Sequence, residues 1–299
     1  MYKLTITEKI KARYLELFFK KNIFEEMKNS NFKNIKNFFK CENLKNSHKK
    51  FCEEIKNKKI CQDNDCIYKL LLSRKLNELK KIDKKDLSKK DVENLYKNFR
   101  KKWGYEIVRL LEIKVCPYCN RNYITNFDKN TTIELDHFYP ISKYPHLALN
   151  IYNLIPVCHT CNHKKKDKSF KIHPFKESID DFFTFKFIGF NDKDKLNFFD
   201  EKRLILDLEF KNNDLGEWNY KEYLSDNYEN HKDMISEILK RKEMYPESRI
   251  EELYKEFGGR LFNSKDELIG LIHCNYIDKK DINKRPLSKL IKDILEQLK

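Results

Sequence analysis

The stretch that decides the fold reads Cys116-Pro117-Tyr118-Cys119, then Glu134-Leu135-Asp136-His137, and then Cys158-His159-Thr160-Cys161-Asn162. Two Cys-x-x-Cys pairs thus flank an Asp-His pair, and Asn153-Leu154 precedes the second pair. Two such pairs supply the four thiolates that a tetrahedral zinc site needs. The interval between the pairs is longer than in a simple zinc ribbon, so we expect further structure to be built between two zinc knuckles.

The composition of the whole chain favours a folded protein with an acidic partner. The 299 residues carry a net charge of +15, and this excess favours nucleic acid, although a lysine-rich genome would also produce it. Aromatic residues make up 13% of the chain, too many for a disordered protein. No apolar run approaches the roughly 20 residues of a membrane span, and the first residues lack a signal-peptide pattern. We therefore expect a cytoplasmic protein with reduced cysteines and no membrane partner.

The pattern of apolar residues divides the chain into three regions. Residues 1–112 show helical spacing, residues 113–175 contain the two cysteine pairs, and residues 176–299 begin with alternating apolar residues that predict a β-hairpin. Helices return after the hairpin, and the last one opens at Pro286 with an apolar stripe that we expect to be core. The predicted fold class is α+β: a mainly helical protein with a central zinc-clamped ββα module and a small β-hairpin region in the C-terminal half.

Within the central region the sequence predicts two strands and a helix. The runs 122–125 and 131–135 are β-prone and are separated by a turn signal, which predicts a hairpin whose second strand ends in Asp136-His137. Residues 153–158 are expected to be extended and to lead into the second knuckle. The basic run 161–168 predicts a short helix.

The residues between the knuckles suit phosphodiester hydrolysis. This reaction needs a base for water and positive charge near the leaving oxygen. A neutral imidazole is suited to be the base, whereas carboxylate and amide oxygens suit a hard divalent cation. Neighbouring side chains of a strand point to opposite faces, so Asp136 could face a metal while His137 reaches the water. Asn162 follows Cys161 directly, so the second knuckle would keep it close to the strand end.

In these residues the chain resembles the HNH, or ββα-metal, endonucleases that have a frame of four zinc-bound cysteines. The matching residues include Asp136-His137 with Pro140, then Asn153-Leu154, and Asn162 with Lys165 after the last cysteine. The chain departs from many members at Phe138-Tyr139, where an aliphatic residue is common. It departs again at residues 144–146, where Gly-Gly is common. The sequence around these departures is similar to that of HNH proteins of bacterial anti-phage systems, such as Septu-type and retron-associated nucleases.

The resemblance implies roles for particular residues. His137 would be the general base, Asp136 and Asn162 would bind a catalytic Mg²⁺ or Mn²⁺, and Asn153 would orient the loop that carries His137. The implied structural zinc ligands are Cys116, Cys119, Cys158 and Cys161, and the implied DNA-backbone contacts are Lys164, Lys165, Lys166 and Lys168. The implied partners are DNA, expected to be double-stranded, and a protein such as the ATPase subunit of a defence system.

Several alternatives remain open at the level of the sequence. His159 or His163 could bind the catalytic metal in place of Asn162, and Glu134 is either an accessory ligand or merely solvated. The Cys116–Cys119 pair, taken alone, resembles a glutaredoxin redox site. Four further cysteines are either buried thiols or a second zinc site: Cys41, Cys52, Cys61 and Cys66.

Three functions compete. The first is a metal-dependent HNH endonuclease that hydrolyses DNA, within anti-phage defence. The alternative is a non-catalytic, zinc-stabilised nucleic-acid-binding or adaptor protein. The third is a toxin or defence effector that has the same chemistry but is silent until a partner releases it.

Overall fold

The structure, a computed structural model, describes residues 3–20, 71–80, 89–127, 130–131, 133–188, 200–211 and 214–299. The cysteines considered for a second zinc site, Cys41, Cys52, Cys61 and Cys66, lie outside the described residues. The described chain combines helices with small two-stranded sheets, so the predicted α+β class is confirmed.

Two compact units are interleaved along the sequence. Thr5–Ile113 and Thr125–Ser169 form the first, which we name the central unit. Met1–Leu4, Lys114–Ile124 and Phe170–Lys299 form the second, which we name the C-terminal unit. The three-part division at residues 112 and 175 stays a prediction.

The central unit is built on one long helix. Its helices are α1 (Glu8–Lys20), α2 (Leu76–Leu79), α3 (Lys89–Leu111) and α4 (His159–Lys165), and its strands are β1 (Asn126–Phe127), β2 (Asn130–Thr131), β3 (Glu134–His137) and β4 (Leu154–Val157). Helix α3 buries a stripe that includes Leu95, Phe99 and Ile107, spaced at multiples of about 3.6 residues. Phe99 meets Tyr14 of α1 edge to face, with ring centroids 6.3 Å apart. This packing gives α3 a fixed position beside the strands that carry the Asp-His pair.

The strand that ends in Asp136-His137 has a different partner from the predicted one. It pairs antiparallel with β4, so that Glu134 lies opposite Val157 and His137 lies opposite Leu154. The run 122–125 does not pair with this strand: Tyr123 forms an isolated bridge with Val115, and the short pair of β1 and β2 follows it. The predicted hairpin is therefore wrong in its pairing. The reason is burial: every residue of β4 is buried, and such a strand gains more from pairing in the interior than the polar run 122–125 could offer.

The C-terminal unit contains the predicted hairpin and a set of helices. Strands β5 (Phe183–Ile188) and β6 (Ile205–Phe210) pair antiparallel, and they are followed by α5 (Tyr220–Glu229), α6 (Lys232–Met244), α7 (Glu247–Phe257), α8 (Lys265–Ile272) and α9 (Ser288–Gln297). The apolar stripe of α9 packs on β5 and α6, as expected for core. None of the helices in the described ranges is both long and apolar enough to cross a membrane.

A buried lysine lies at the centre of the C-terminal unit. The side chain of Lys289 in α9 is 1% exposed, and its Nζ lies 2.8 Å from Oδ2 of Asp293 and 2.9 Å from Oδ1 of Asp180. The same ammonium lies 4.7 Å from the ring centroid of Phe183. Asp293 also accepts a hydrogen bond of 3.0 Å from the backbone N–H of Phe185. The buried charges are thus paired with one another and with the backbone, as buried charges must be.

Candidate functional site

The two Cys-x-x-Cys pairs come together as a single cluster. The sulfur atoms of Cys116, Cys119, Cys158 and Cys161 all lie within 4.8 Å of one another, and all four residues are buried. Four thiolates at about 2.3 Å from a tetrahedral zinc ion would be about 3.8 Å apart, so the cluster fits zinc. A redox dithiol needs only one pair, and the convergence of two pairs favours the metal site.

The backbone around each pair supports the cysteines locally. Asn120, with a positive φ of 50°, donates its N–H to the carbonyl of Cys116 at 2.8 Å, which closes the tight turn of the first knuckle. The next residue, Arg121, directs its N–H at Sγ of Cys119 at 3.4 Å. Such a donor stabilises a thiolate. In the second pair, Cys158 is the residue before α4, and its carbonyl accepts the N–H of Asn162 at 3.1 Å.

Asp136 lies inside the central unit and is paired with a lysine. Its side chain is 3% exposed, and Nζ of Lys165 lies 3.0 Å from its Oδ2 and 3.1 Å from its Oδ1. The same Nζ donates to the carbonyl of His137 at 3.1 Å. The sequence predicts Lys165 as a DNA contact, but its side chain is fully buried. The reason is that a buried carboxylate needs a counter-charge, and the inner face of α4 supplies it.

The ring of His137 has a defined orientation. Its Nε2 lies 2.9 Å from the carbonyl of Ala148, and because a carbonyl only accepts, Nε2 carries the proton. In a neutral ring Nδ1 is then the acceptor. Tyr96 of α3 packs edge-on against the ring, with centroids 4.3 Å apart. Burial lowers the pKa of His137 to about 4, and the charge of Lys165 adds to this effect, whereas the Ala148 hydrogen bond opposes it. The ring is therefore neutral near pH 7.

Asn153 fastens the loop that follows β3. Its fully buried side chain accepts the N–H of Tyr139 at 2.8 Å and donates to the carbonyls of Tyr139 at 3.0 Å and Leu147 at 3.1 Å. Leu147 directly precedes Ala148, whose carbonyl binds His137. The amide thus fixes the loop segment that contains Ala148, the partner of the imidazole, whereas its implied role of orienting the loop that carries His137 stays a prediction.

Glu134 joins the start of α4 to β3. One of its carboxylate oxygens accepts a hydrogen bond from Nδ2 of Asn162, and the other lies 2.9 Å from Nδ1 of His159. The rings of His159 and His163 stack at 5.9 Å. Burial alone would raise the pKa of Glu134, but these hydrogen bonds and the charge of Arg100 lower it. The Glu134 carboxylate is therefore hydrogen-bonded within the site, and its role as an accessory ligand stays a prediction.

These side chains line one open cleft of about 440 Å³. From β3 and α4 it is lined by Glu134, Asp136, His137, His159, Asn162 and His163, followed by Lys166. Lys164, Lys166 and Lys168 are exposed, unlike Lys165. The other wall of the cleft is α3.

The α3 wall was not predicted as part of the site. The hydroxyl of Tyr96 donates to the carbonyl of Leu135 at 3.0 Å, and Arg100 donates to the carbonyl of Ile133 at 3.0 Å. Both residues therefore bind the backbone at or just before β3. Their only signal in the sequence is a spacing of four residues, which puts them on one face of the helix.

The cleft also contains oxygen groups of the kind that bind a hard divalent cation. Its donors are the carboxylates of Asp136 and Glu134 and the amide of Asn162. In the described part of the chain the cysteine cluster is the only group of three or more His, Cys, Asp and Glu ligand atoms close enough to share an ion. A cation in the cleft would therefore take most of its ligands from water and from a bound phosphate, as Mg²⁺ usually does.

Comparison with known proteins agrees with this geometry. The sequence model of the HNH endonuclease family matches residues 116–168. Protein ea31 of Escherichia phage lambda is 29% identical over 100 residues, which are 31% of each chain. The Septu protein PtuB of Bacillus thuringiensis is 32% identical over 76 residues, which are 24% of this chain and 28% of that one.

These similarities are partial. The chain spans less than a third of the length of either relative. No solved structure matches it. The matched segment nevertheless contains all four clustered cysteines together with β3, β4 and α4. Residues 116–168 of this chain are thus an HNH endonuclease domain with a four-cysteine cluster that fits zinc.

Proposed function

We propose that this protein is a metal-dependent endonuclease that hydrolyses phosphodiester bonds of DNA, with His137 as the general base. One observation carries the proposal. His137 is neutral and oriented by Ala148, its Nδ1 is the acceptor, and it lines the same cleft as Asp136 and Asn162. A general base must be unprotonated and positioned before it can take a proton from water.

The proposed reaction assigns a task to each group. Nδ1 of His137 takes a proton from the water that attacks the phosphorus. The Ala148 carbonyl keeps the other ring nitrogen protonated and stabilises the imidazolium that forms. When bound by Asp136 and Asn162, a Mg²⁺ or Mn²⁺ ion would supply positive charge at the scissile phosphate and its leaving oxygen.

The surroundings of these groups have supporting tasks. Asn153 fixes the loop on which Ala148 lies, and Glu134 keeps the amide of Asn162 in place. The exposed Lys164, Lys166 and Lys168 bind the DNA backbone through charge, which is independent of the base sequence. The cysteine cluster binds a structural zinc that fixes the two knuckles.

The biological setting is proposed from similarity. The resemblance to Septu-type proteins, supported by the partial match to PtuB of Bacillus thuringiensis, favours a cytoplasmic anti-phage defence role. The sequence has no Gly-rich nucleotide-binding loop, so an ATP-driven step would require a partner such as an ATPase subunit. A partner that restrains the nuclease would also make the isolated chain inert, as expected of a defence effector.

The test is conversion of supercoiled plasmid with Mg²⁺ or Mn²⁺ by the wild type and by His137→Ala. Loss of a general base lowers rates by roughly 10²- to 10⁴-fold, so His137→Ala should leave the plasmid intact. His231→Ala in the C-terminal unit is the matched control and should cut like the wild type. Elemental analysis should find one zinc per chain. Equal cutting by wild type and His137→Ala would refute the catalytic assignment.

A second candidate is supported by one specific contact. Both carboxylate oxygens of Asp136 already lie within hydrogen-bond distance of Lys165, which weakens their availability to a metal. A non-catalytic, zinc-stabilised DNA-binding or adaptor protein would have no need of a free ligand there. Tight DNA binding without cutting under either metal would favour this candidate.

A further inference from the structure

A second cleft runs along α3, and of its lining residues only Thr131 lies in the segment that matches the HNH family. It measures about 520 Å³ and is lined by Glu93, Tyr96, Lys97, Arg100, Lys101, Tyr105 and Thr131. Three of these residues, Glu93, Tyr96 and Arg100, also line the cleft that contains His137. The two clefts are therefore adjacent, and both lie within the central unit.

The charge of this cleft is positive and available. Lys97 and Lys101 are exposed, and neither has a carboxylate partner within the described ranges. Arg100 uses one donor on the carbonyl of Ile133 and keeps others on the cleft side of the helix. The acidic lining residue, Glu93, is 3.7 Å from Lys89. Three cations against one partnered carboxylate make the cleft attractive to a polyanion.

The spacing of these residues suits a chain of phosphates. Lys97, Lys101 and Tyr105 recur every four residues, so they lie in a row on one face of α3. At 1.5 Å per residue the row is about 12 Å long, which is long enough to contact more than one phosphate of a DNA strand. The half-buried ring of Tyr105 at the end of the row offers a surface on which an unpaired base can stack.

We propose that the α3 cleft binds the nucleic-acid strand that flanks the scissile phosphate. Lys97 and Lys101 bind its phosphates, and Tyr105 stacks on an unpaired base. The strand then reaches the cleavage cleft past Tyr96, whose ring contacts His137. That this strand contains the cleavage point rests on the proposed function, whereas DNA binding by the cleft is a separate property and is tested separately.

The test measures DNA binding by full-length protein in a His137→Ala background, so that cutting cannot interfere. Fluorescence anisotropy with a labelled duplex is recorded over a range of salt concentrations. Lys97→Ala/Lys101→Ala should bind at least fivefold more weakly than its parent. Its salt dependence should be lower by about two ions, because each phosphate contact contributes about 0.9 to the slope.

The matched control removes the same charge elsewhere. Lys240 and Lys255 are exposed residues of α6 and α7, so Lys240→Ala/Lys255→Ala has the same net charge as the cleft variant. This control should keep the affinity and the slope of its parent. Equal weakening in the two double variants would show that only net charge matters and would overturn the proposal, as would unchanged binding in the cleft variant.

The stacking of Tyr105 on an unpaired base is tested separately, by measuring the binding of a labelled single strand. Tyr105→Leu should weaken binding roughly fivefold or more without changing the salt slope, whereas Tyr105→Phe should bind like its parent. Tyr123→Leu, at a tyrosine that is 55% exposed, is the control and should have no effect. Equal binding by Tyr105→Leu and its control would overturn the stacking contact.

Failure of this proposal differs from failure of the nuclease function. If the wild type never cuts DNA, but only the cleft variants lose affinity, the cleft is a DNA site in a non-catalytic protein. If the wild type cuts and the cleft variants bind normally, the nuclease stands and the α3 cleft is not its DNA site. Circular dichroism of each variant confirms that it is folded.

Discussion

Each unit of the protein contains a lysine buried against carboxylate, and the two sites differ in what surrounds them. Lys165 in the central unit is paired with one carboxylate, Asp136, which lines the cleavage cleft. Lys289 in the C-terminal unit is paired with two, Asp180 and Asp293, and Asp293 also binds the backbone of β5. The first pair borders a cleft that admits water, whereas the second is enclosed by packed elements.

The difference in surroundings suggests that one buried ion pair serves the reaction and the other serves folding. A buried ion pair contributes little net stability when it is intact, but losing one partner leaves an uncompensated charge and is costly. The cost should be largest where water has the least access to the carboxylates, as around Lys289, although Lys292 also contacts Asp293 and Lys279 lies 3.6 Å from Asp180. Next to a cleft, water or a bound cation can replace it. We therefore expect Lys289 to matter for folding and Lys165 to matter mainly for the reaction.

The largest effect is expected for Lys289→Met. Removing this ammonium leaves the carboxylates of Asp180 and Asp293 buried without their shared cation. Loss of one partner from a buried pair costs about 3–5 kcal/mol, a large part of the stability of a typical domain. Urea denaturation should show a much lower midpoint, or no folded protein.

Lys292→Met is the matched control on the same helix. Lys292 also contacts Asp293, at 3.2 Å, but its side chain is 12% exposed and lies at the edge of the cluster. Its loss should cost no more than about 1 kcal/mol, as for partly solvated pairs. Similar midpoints for the two variants would contradict the view that Lys289 neutralises an enclosed cluster.

The next largest effect is expected for Lys165→Met. This variant should lose much of its plasmid cleavage but only a little of its stability. The free energy of unfolding should fall by only about 1–3 kcal/mol, because water in the cleft can solvate Asp136. Plasmid cleavage should fall at least tenfold, because the carboxylate is no longer held in one position. Lys164→Met, at the exposed neighbouring residue, should change neither stability nor cleavage by as much. Normal cleavage by Lys165→Met would remove the functional half of the comparison.

Neither buried lysine could be recognised from the sequence. Lys165 lies in the run Lys164-Lys165-Lys166, where helical geometry turns only one of three similar residues toward Asp136. Its partner is 29 positions away and is reached through the pairing of β3 with β4, whose long-range register the sequence misassigned. Local patterns predicted elements; they did not predict which distant elements would meet.

Residues with local or motif signals fared better. The spacing of the four cysteines is itself a sequence signal for a shared metal site, and they cluster as expected. The alternation around Phe183 and Leu208 predicted the C-terminal hairpin, which forms between β5 and β6. By contrast, Tyr96 and Arg100 reached the site only through the packing of α3, and no motif marks such residues. The sequence therefore predicted the residues of β3 and α4 that line the cleft, whereas the α3 wall of the cleft depends on tertiary contacts.

A smaller effect concerns acid stability, and it involves one histidine in each unit. Burial lowers the pKa of His137 and of His273 to about 4, and nearby cations contribute in both cases. In the unfolded chain a histidine titrates near 6.5. Between pH 6.5 and pH 4 the unfolded chain therefore binds more protons, and the free energy of unfolding falls as the pH falls.

Substitution can show how much of the fall in unfolding free energy with pH comes from one histidine. His273→Phe retains a ring but cannot titrate, so its unfolding free energy should fall less between pH 6.5 and pH 4, by on the order of 2 kcal/mol. Urea titrations at pH 7, 6, 5 and 4 measure the difference. His231→Phe is the comparison: burial and the charge of Arg121 also lower the pKa of this more exposed histidine, so its substitution should change the slope less than His273→Phe does. An identical slope in His273→Phe and the wild type would show that folding does not lower the pKa of this ring.

The smallest effect is expected at an exposed ion pair. Lys265 of α8 lies 2.8 Å from Glu251 of α7, which is closer than Lys165 lies to Asp136. Both side chains of this pair are exposed to solvent, unlike those of Lys165 and Asp136. Water and salt screen this pair, and two long side chains lose freedom to form it. Lys265→Met should therefore leave the urea midpoint unchanged within error, in low or high salt. A shift as large as that of Lys165→Met would mean that distance, and not burial, determines the value of these pairs, and the contrast between Lys165 and Lys289 would lose its physical basis.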